Sequence, residues 1–254
     1  MNSDNCTKLK PGQPQARQPD PGATTPPVAR PNLQGLLGRR RGKKLGAHHA
    51  ALLTTVLPRL SFDVSRPIAD PASLFPEKPS AIWLEIGFGG AEHLAAKALA
   101  HPDIGFIGCE AYLNGIAKAL AFVEAGRLRN VRIYNGDARA VIEALPAEAL
   151  GGAYLLYPDP WPKRRHRGRR FLSSDTLTRL ARVLRPGAEL CFATDIDANS
   201  AWTLARVLRS PDFVWAPASS NDWRTPWDGW TGTRYEEKAL RGGRRPVYLT
   251  FLRK

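Results

Sequence analysis

The sequence predicts an α/β fold: a doubly wound, mostly parallel sheet with an antiparallel C-terminal hairpin at one edge. Three observations carry this. From residue 81 onward, short apolar runs alternate with helical segments, the pattern of β-α-β units. The runs are apolar at nearly every position, as suits strands buried on both faces. The last two runs, 213–216 and 247–252, follow one another with no helix predicted between them.

Taken in order, residues 1–35 carry prolines at 11, 14, 19, 21, 26, 27 and 31 and few large apolar side chains. Such a segment buries too little surface to offset its ordering entropy, so a disordered tail is expected. Residues 36–254 are read as one domain, opening on a basic arm at 36–60. That arm holds Arg39-Arg40-Arg41-Gly42-Lys43-Lys44 and then an amphipathic stretch, 47–57, expected to be a short helix ended by Pro58. Strands are predicted at 81–86, 104–109, 131–134, 153–157 and 189–194, with helices near 91–100, 112–125, 138–145, 172–184 and 198–209.

The 254 residues carry a formal net charge of +14, a field that attracts polyanions and makes nucleic acid the leading partner. The charge is clustered, in the arm and in Lys163-Arg164-Arg165-His166-Arg167-Gly168-Arg169-Arg170. No apolar run approaches the ~18 to 20 residues that span a bilayer, and no secretory signal is evident. Three scattered cysteines, Cys6, Cys109 and Cys191, argue against a disulfide framework or a zinc site and suit a reducing cytoplasm. Cys109 and Cys191 sit in apolar runs and are read as core.

The first strand runs into Glu85-Ile86-Gly87-Phe88-Gly89-Gly90, where glycines permit a tight turn and close ligand approach. A dinucleotide fingerprint needs a third glycine where Glu92 stands, and a carboxylate there would repel a pyrophosphate. Glu110 stands at the end of the second strand, and Asp137 at the rim just past the third, in Asn135-Gly136-Asp137. A carboxylate at the end of the second strand commonly accepts hydrogen bonds from ribose hydroxyls. Three carboxylates on one crevice suit a ligand with a ribose, a base and a positive centre but no phosphate. S-adenosylmethionine fits that description. Any one of the acids could instead cap the helix that follows it.

After the fourth strand come Pro158-Asp159-Pro160-Trp161-Pro162. Prolines on both sides stiffen the loop around Asp159, and Trp161 offers a face for base stacking. The basic run behind them can follow phosphates. His166 is read as an exposed polar residue, His48 and His49 lack metal-like spacing, and Trp223, Trp227 and Trp230 are expected to pack against the body.

Residues 157–171, Tyr-Pro-Asp-Pro-Trp-Pro-Lys-Arg-Arg-His-Arg-Gly-Arg-Arg-Phe, resemble the signature of the bacterial tRNA (guanine-N7-)-methyltransferases. Residues 38–45, 84–89, Ala193-Thr194-Asp195 and Thr233-Arg234-Tyr235-Glu236 resemble further motifs of that family, so the match covers 36–254. The resemblance implies a seven-stranded, Rossmann-like, S-adenosylmethionine-dependent fold that methylates N7 of the variable-loop guanine in tRNA. It implies cofactor contacts at Glu85, Gly87, Gly89, Glu110, Asp137 and Asp159, with Asp159 catalytic. It implies substrate contacts at Lys163, Asp195, Thr233, Arg234, Tyr235 and Glu236. Arg164, Arg165, Arg167, Arg169 and Arg170 are expected on the RNA backbone. The chain departs from the family pattern at Arg234, where lysine is usual, and at Pro162, where many members carry histidine. Competing readings are another nucleic-acid methyltransferase, a non-catalytic RNA-binding protein and, against Glu92, a dehydrogenase.

Overall fold

The computed structural model describes residues 42–254 together with Met1. The tail expected at 1–35, Cys6 and the arginines at 39–41 lie outside the described residues. Two short helices open the described chain, α1 (Ala47–Thr55) and α2 (Leu57–Leu60). Pro58 does not end the helical stretch as expected. It sits in the first turn of α2, where a missing N–H forfeits no helical hydrogen bond. Leu52, Val56 and Leu60, one helical turn apart, point into the core.

There follow β1 (Ala81–Ile86), α3 (Glu92–Ala100), β2 (Ile104–Glu110), α4 (Leu113–Gly126), β3 (Val131–Asn135), α5 (Ala138–Ala144) and β4 (Leu150–Leu156). The chain continues through α6 (Ser174–Val183), β5 (Leu184–Thr194), α7 (Asp197–Val207), β6 (Phe213–Val214), α8 (Arg234–Arg241) and β7 (Val247–Arg253). The seven strands are ordered β3-β2-β1-β4-β5-β7-β6. β1 to β5 pair in parallel, whereas β7 pairs antiparallel with both β5 and β6.

Side chains alternate across the sheet as period two requires. Leu84, Ile86, Ile107, Leu155, Phe192 and Phe251 meet α5, α6 and α7 on one face. On the other, Phe106, Val131 and Ile133 meet α1, α3 and α4. Beside them, Tyr154, Cys191 and Tyr248 are covered not by a helix but by Trp227 and Trp230. Cys109 and Cys191 are buried thiols, and burial pushes both up in pKa, so neither is reactive.

Two expectations need correcting. β6 and β7 do pair antiparallel at the sheet edge, but a helix, α8, intervenes. It lacks an apolar stripe: only Glu236 and Ala239 are buried, so its inner face is anchored by a carboxylate. The fourth strand also starts three residues earlier than its apolar run, because Gly151 and Gly152 disguise its opening.

Candidate active site

The carboxyl ends of β1, β2 and β3 meet at a loop built on glycine. Gly87 and Gly89 take left-handed φ values of 70° and 57°, open to glycine at little cost. α4 arrives so close that a Cβ on Gly115 would lie 2.1 Å from the carbonyl oxygen of Gly89. Glu110 ties these segments together. Its Oε2 accepts from the Gly89 N–H at 2.7 Å, and its Oε1 from the N–H groups of Ala111 and Tyr112 at 2.7 and 2.8 Å. Those bonds use three of about four acceptor positions on a carboxylate, leaving one on Oε2.

The other two carboxylates are placed differently. Asp137 accepts from the Arg139 N–H at 3.0 Å, so it caps α5, and its Oδ2 holds the Arg139 guanidinium at 2.5 Å. It still stands next to Glu110, because the N–H of the preceding Gly136 donates to Glu110 O at 3.0 Å. Glu85 does not reach an open surface. It is 3% exposed, and its Oε2 faces Nδ1 of His93 at 2.8 Å. His93 packs on Tyr154 and Trp230, and its Nε2 has no partner among the described residues.

β4 delivers the second half of the site. Tyr157 and Trp161, at either end of the Pro158–Pro160 turn, adopt left-handed φ values of 48° and 42°. Such bulky residues carry roughly 1–3 kcal/mol of strain each, so other contacts must hold the loop. The Tyr157 N–H donates to Ala193 O at 2.8 Å. Arg170 does the rest: its Nε donates to Pro160 O at 2.7 Å and a terminal nitrogen to Ala198 O at 2.8 Å. Held this way, Asp159 projects from the loop as an exposed residue, and partial desolvation raises its carboxyl pKa.

This corrects the reading of Arg170 as an RNA contact. It is 5% exposed and lies against the Trp202 ring, a brace for the loop. Lys163, Arg164, Arg165, Arg167 and Arg169 are exposed, on a 3₁₀ turn over Arg164–Arg169. Trp161 is partly covered by Arg169, 5.0 Å above its ring, and by the edge of His166. His166 has its pKa lowered, chiefly by desolvation and then by Arg169 and Lys163.

The C-terminal motif divides in two. Thr233 is buried and its Oγ1 accepts from the Glu236 N–H, capping α8. Glu236 is buried too: its carboxylate takes the Trp230 indole N–H at 2.6 Å and the Tyr248 hydroxyl. These two residues hold the helix. Arg234 and Tyr235 instead lie over the glycine loop, where a Cβ on Gly89 would come 3.0 Å from the Tyr235 ring and one on Gly90 2.5 Å from the Arg234 guanidinium. Partial desolvation raises the pKa of the Tyr235 phenol, although the side chain stays exposed. Arg234 opposes that shift, and the negative charges of Glu110, Asp159 and Glu92 add to it. Tyr235 therefore lies over the glycine loop, whose Gly89 N–H is held by the Glu110 carboxylate at the end of β2. Asp195, at the end of β5, is bound by Arg244 at 2.5 Å.

A model described as "Putative methyltransferase" matches residues 79–249. The tRNA (guanine-N(7)-)-methyltransferase of Rhodopseudomonas palustris (strain BisB5) is 52% identical over 217 residues, 85% of this chain and 85% of its own. The chain belongs to this methyltransferase family. The same-named protein of Nitrobacter winogradskyi is 51% identical over 217 residues, covering 85% of this chain and 84% of its own. That of Mesorhizobium japonicum is 47% identical over 231 residues, covering 90% and 99%.

Trp230 packs against the body as expected, but within the family frame the anchoring roles of four residues were missed by sequence reasoning. His93, Trp230, Tyr248 and Arg244 hold Glu85, Glu236 and Asp195 in place. None stands in a motif, and only their partners across the fold reveal them. One signal was available for α8: Thr233 and Glu236 have the Thr-x-x-Glu spacing of a helix start. Among the described residues no cluster of His, Cys, Asp or Glu suited to a metal occurs, and no helix is long and apolar enough to cross a membrane.

Proposed function

We propose that this chain methylates N7 of the variable-loop guanine in tRNA, using S-adenosylmethionine as donor. The observation that supports the reading most is that Tyr235 covers the glycine loop held by Glu110, while the Asp159 loop leaves β4 at the same rim, next to β1. The relatives' shared name supports the substrate and the atom methylated. The catalytic unit is 36–254, working in the cytoplasm on tRNA.

The residues present fit the cofactor. Glycine at 87 leaves open space where a side chain would stand, and Glu110 keeps an acceptor position for a hydroxyl. When bound, S-adenosylmethionine supplies a methyl group on a positively charged sulfur. Gly87, Gly89 and Glu110 would hold it, with Asp137 beside them. Guanine N7 has a free lone pair and no proton, so this site needs no general base. Its work is alignment, worth up to about 7–11 kcal/mol, together with electrostatics. Asp159, ionised, would face the guanine N1–H and amino group and stabilise the positive charge that forms on the purine. Tyr235 would wall the crevice, and Lys163 to Arg169 would follow phosphates.

Two tests address this reading. Incubation of the chain with unmodified tRNA and labelled S-adenosylmethionine, followed by nucleoside analysis, is expected to yield 7-methylguanosine. A label appearing on another nucleoside would refute it. Replacing Arg164 and Arg165 by glutamine should weaken tRNA binding and lower its log–log salt slope by about 0.7–0.9 for each phosphate that is no longer neutralised. An unchanged slope would remove those arginines from the interface.

A further inference from the structure

A second basic segment lies on the rim where the parallel strands end, just after Thr233–Glu236. α8 ends in Lys238 and Arg241, and the turn that follows brings Arg244 and Arg245 before β7 begins at Val247. All of residues 240–245 are exposed. Topology sets their place. The parallel strands end at one rim, but β7 runs the other way, so the chain entering it stands at that same rim. Val247 pairs with Thr194, next to Asp195, and Ala193 pairs with Leu156, next to the Asp159 loop. Arg244 confirms the placement by binding Asp195.

The two basic segments approach from opposite faces of the sheet. Residues 163–170 are held against Ala198 and Trp202 of α7, which packs on one face. α8 is held by Trp230 and Tyr248 on the other. Among the described residues, Lys238, Arg241 and Arg245 make no ion pair. Cations in the last turn of a helix are favoured by its dipole, which accounts for Lys238 and Arg241. That effect fades within the turn and leaves Arg245 unexplained.

We infer that the Arg241–Arg245 loop is a second contact for the sugar–phosphate backbone of tRNA, gripping it across the rim from Arg164–Arg169. Arg244 fixes the loop to Asp195, while Arg241 and Arg245 meet phosphates. Charge complementarity selects the occupant: a polyanion already centred on Asp159 must pass one or both faces of this rim. The inference rests on the tRNA reading above.

The test uses the full chain. The double variant Arg241→Gln/Arg245→Gln is compared with Arg127→Gln/Arg129→Gln, which removes equal charge beside a hollow near the amino end of β3. A tRNA transcript is titrated at several salt concentrations. The loop variant should show a log–log slope shallower by about 0.7–0.9 for each phosphate released. Its KM for tRNA should rise several-fold, with kcat and affinity for S-adenosylmethionine unchanged. The control pair should keep the parental slope. Parental slope in the loop variant, or an equal decrease in both variants, would overturn the inference, the latter by showing only a diffuse field. Nucleoside analysis of the parent judges the reaction separately: absence of 7-methylguanosine would sink the functional reading, while the binding slopes still decide whether the loop grips RNA.

Discussion

Replacing Asp159 by asparagine is expected to slow single-turnover methyl transfer roughly 10²- to 10³-fold at saturating tRNA and cofactor, the usual effect of removing one preorganised electrostatic partner. Asparagine keeps the shape and can still hydrogen-bond, but the charge that would oppose the nascent purine cation is gone. The loop should survive the change, because Arg170 and the Tyr157 N–H hold it through backbone atoms and not through the carboxylate. A second readout separates charge from shape. Desolvation raises the Asp159 pKa, so its charged form is lost as pH falls through that raised value. Single-turnover rates of the parent should therefore drop on the acid side, and the asparagine variant should lack that limb. Parental rates in the variant, with binding intact, would refute the assignment.

Arg170→Ala should act on the fold first. Its guanidinium makes two hydrogen bonds to backbone carbonyls, and bonds to charged groups are worth about 1.5–3 kcal/mol each. Allowing for relaxation, a decrease of about 2–4 kcal/mol in unfolding free energy is expected, or roughly 4–16 °C in Tm. With the brace gone, only the Tyr157 N–H bond is left against the left-handed strain at Tyr157 and Trp161, so the loop should relax and methyl transfer fall with it. Arg164 and Arg165 should behave in the opposite way, lowering the salt slope of binding without moving Tm. Chemical denaturation and salt titration of the variants distinguish the two roles. An Arg170 variant with parental stability and a lowered slope would return Arg170 to the RNA surface.

The contrast between Arg170 and its neighbours shows what a motif conveys. The clustered basic residues of 163–170 read as one function, yet Arg170 turns inward where the loop needs a donor for Pro160 and Ala198. Thr233 to Glu236 split the same way, two residues anchoring α8 and two covering the glycine loop. Glu85 aligned with the cofactor acids, but its position on β1 puts it on the face covered by α3, under His93.

Sequence alone determined the order and kind of most elements, because apolar strands with buried faces and amphipathic helices leave their periods in the chain. It also determined the residues at the strand ends, the glycine loop, Asp159 between its prolines and the basic run behind it. Tertiary structure decided α8, whose inner face is a carboxylate with no apolar stripe to announce it. It also decided which carboxylates stay open and which arginines face water, and it brought the Arg241–Arg245 loop to the rim where the parallel strands end. Burial and hydrogen-bond partners belong to neighbours distant in the chain, and only the fold brings those neighbours together.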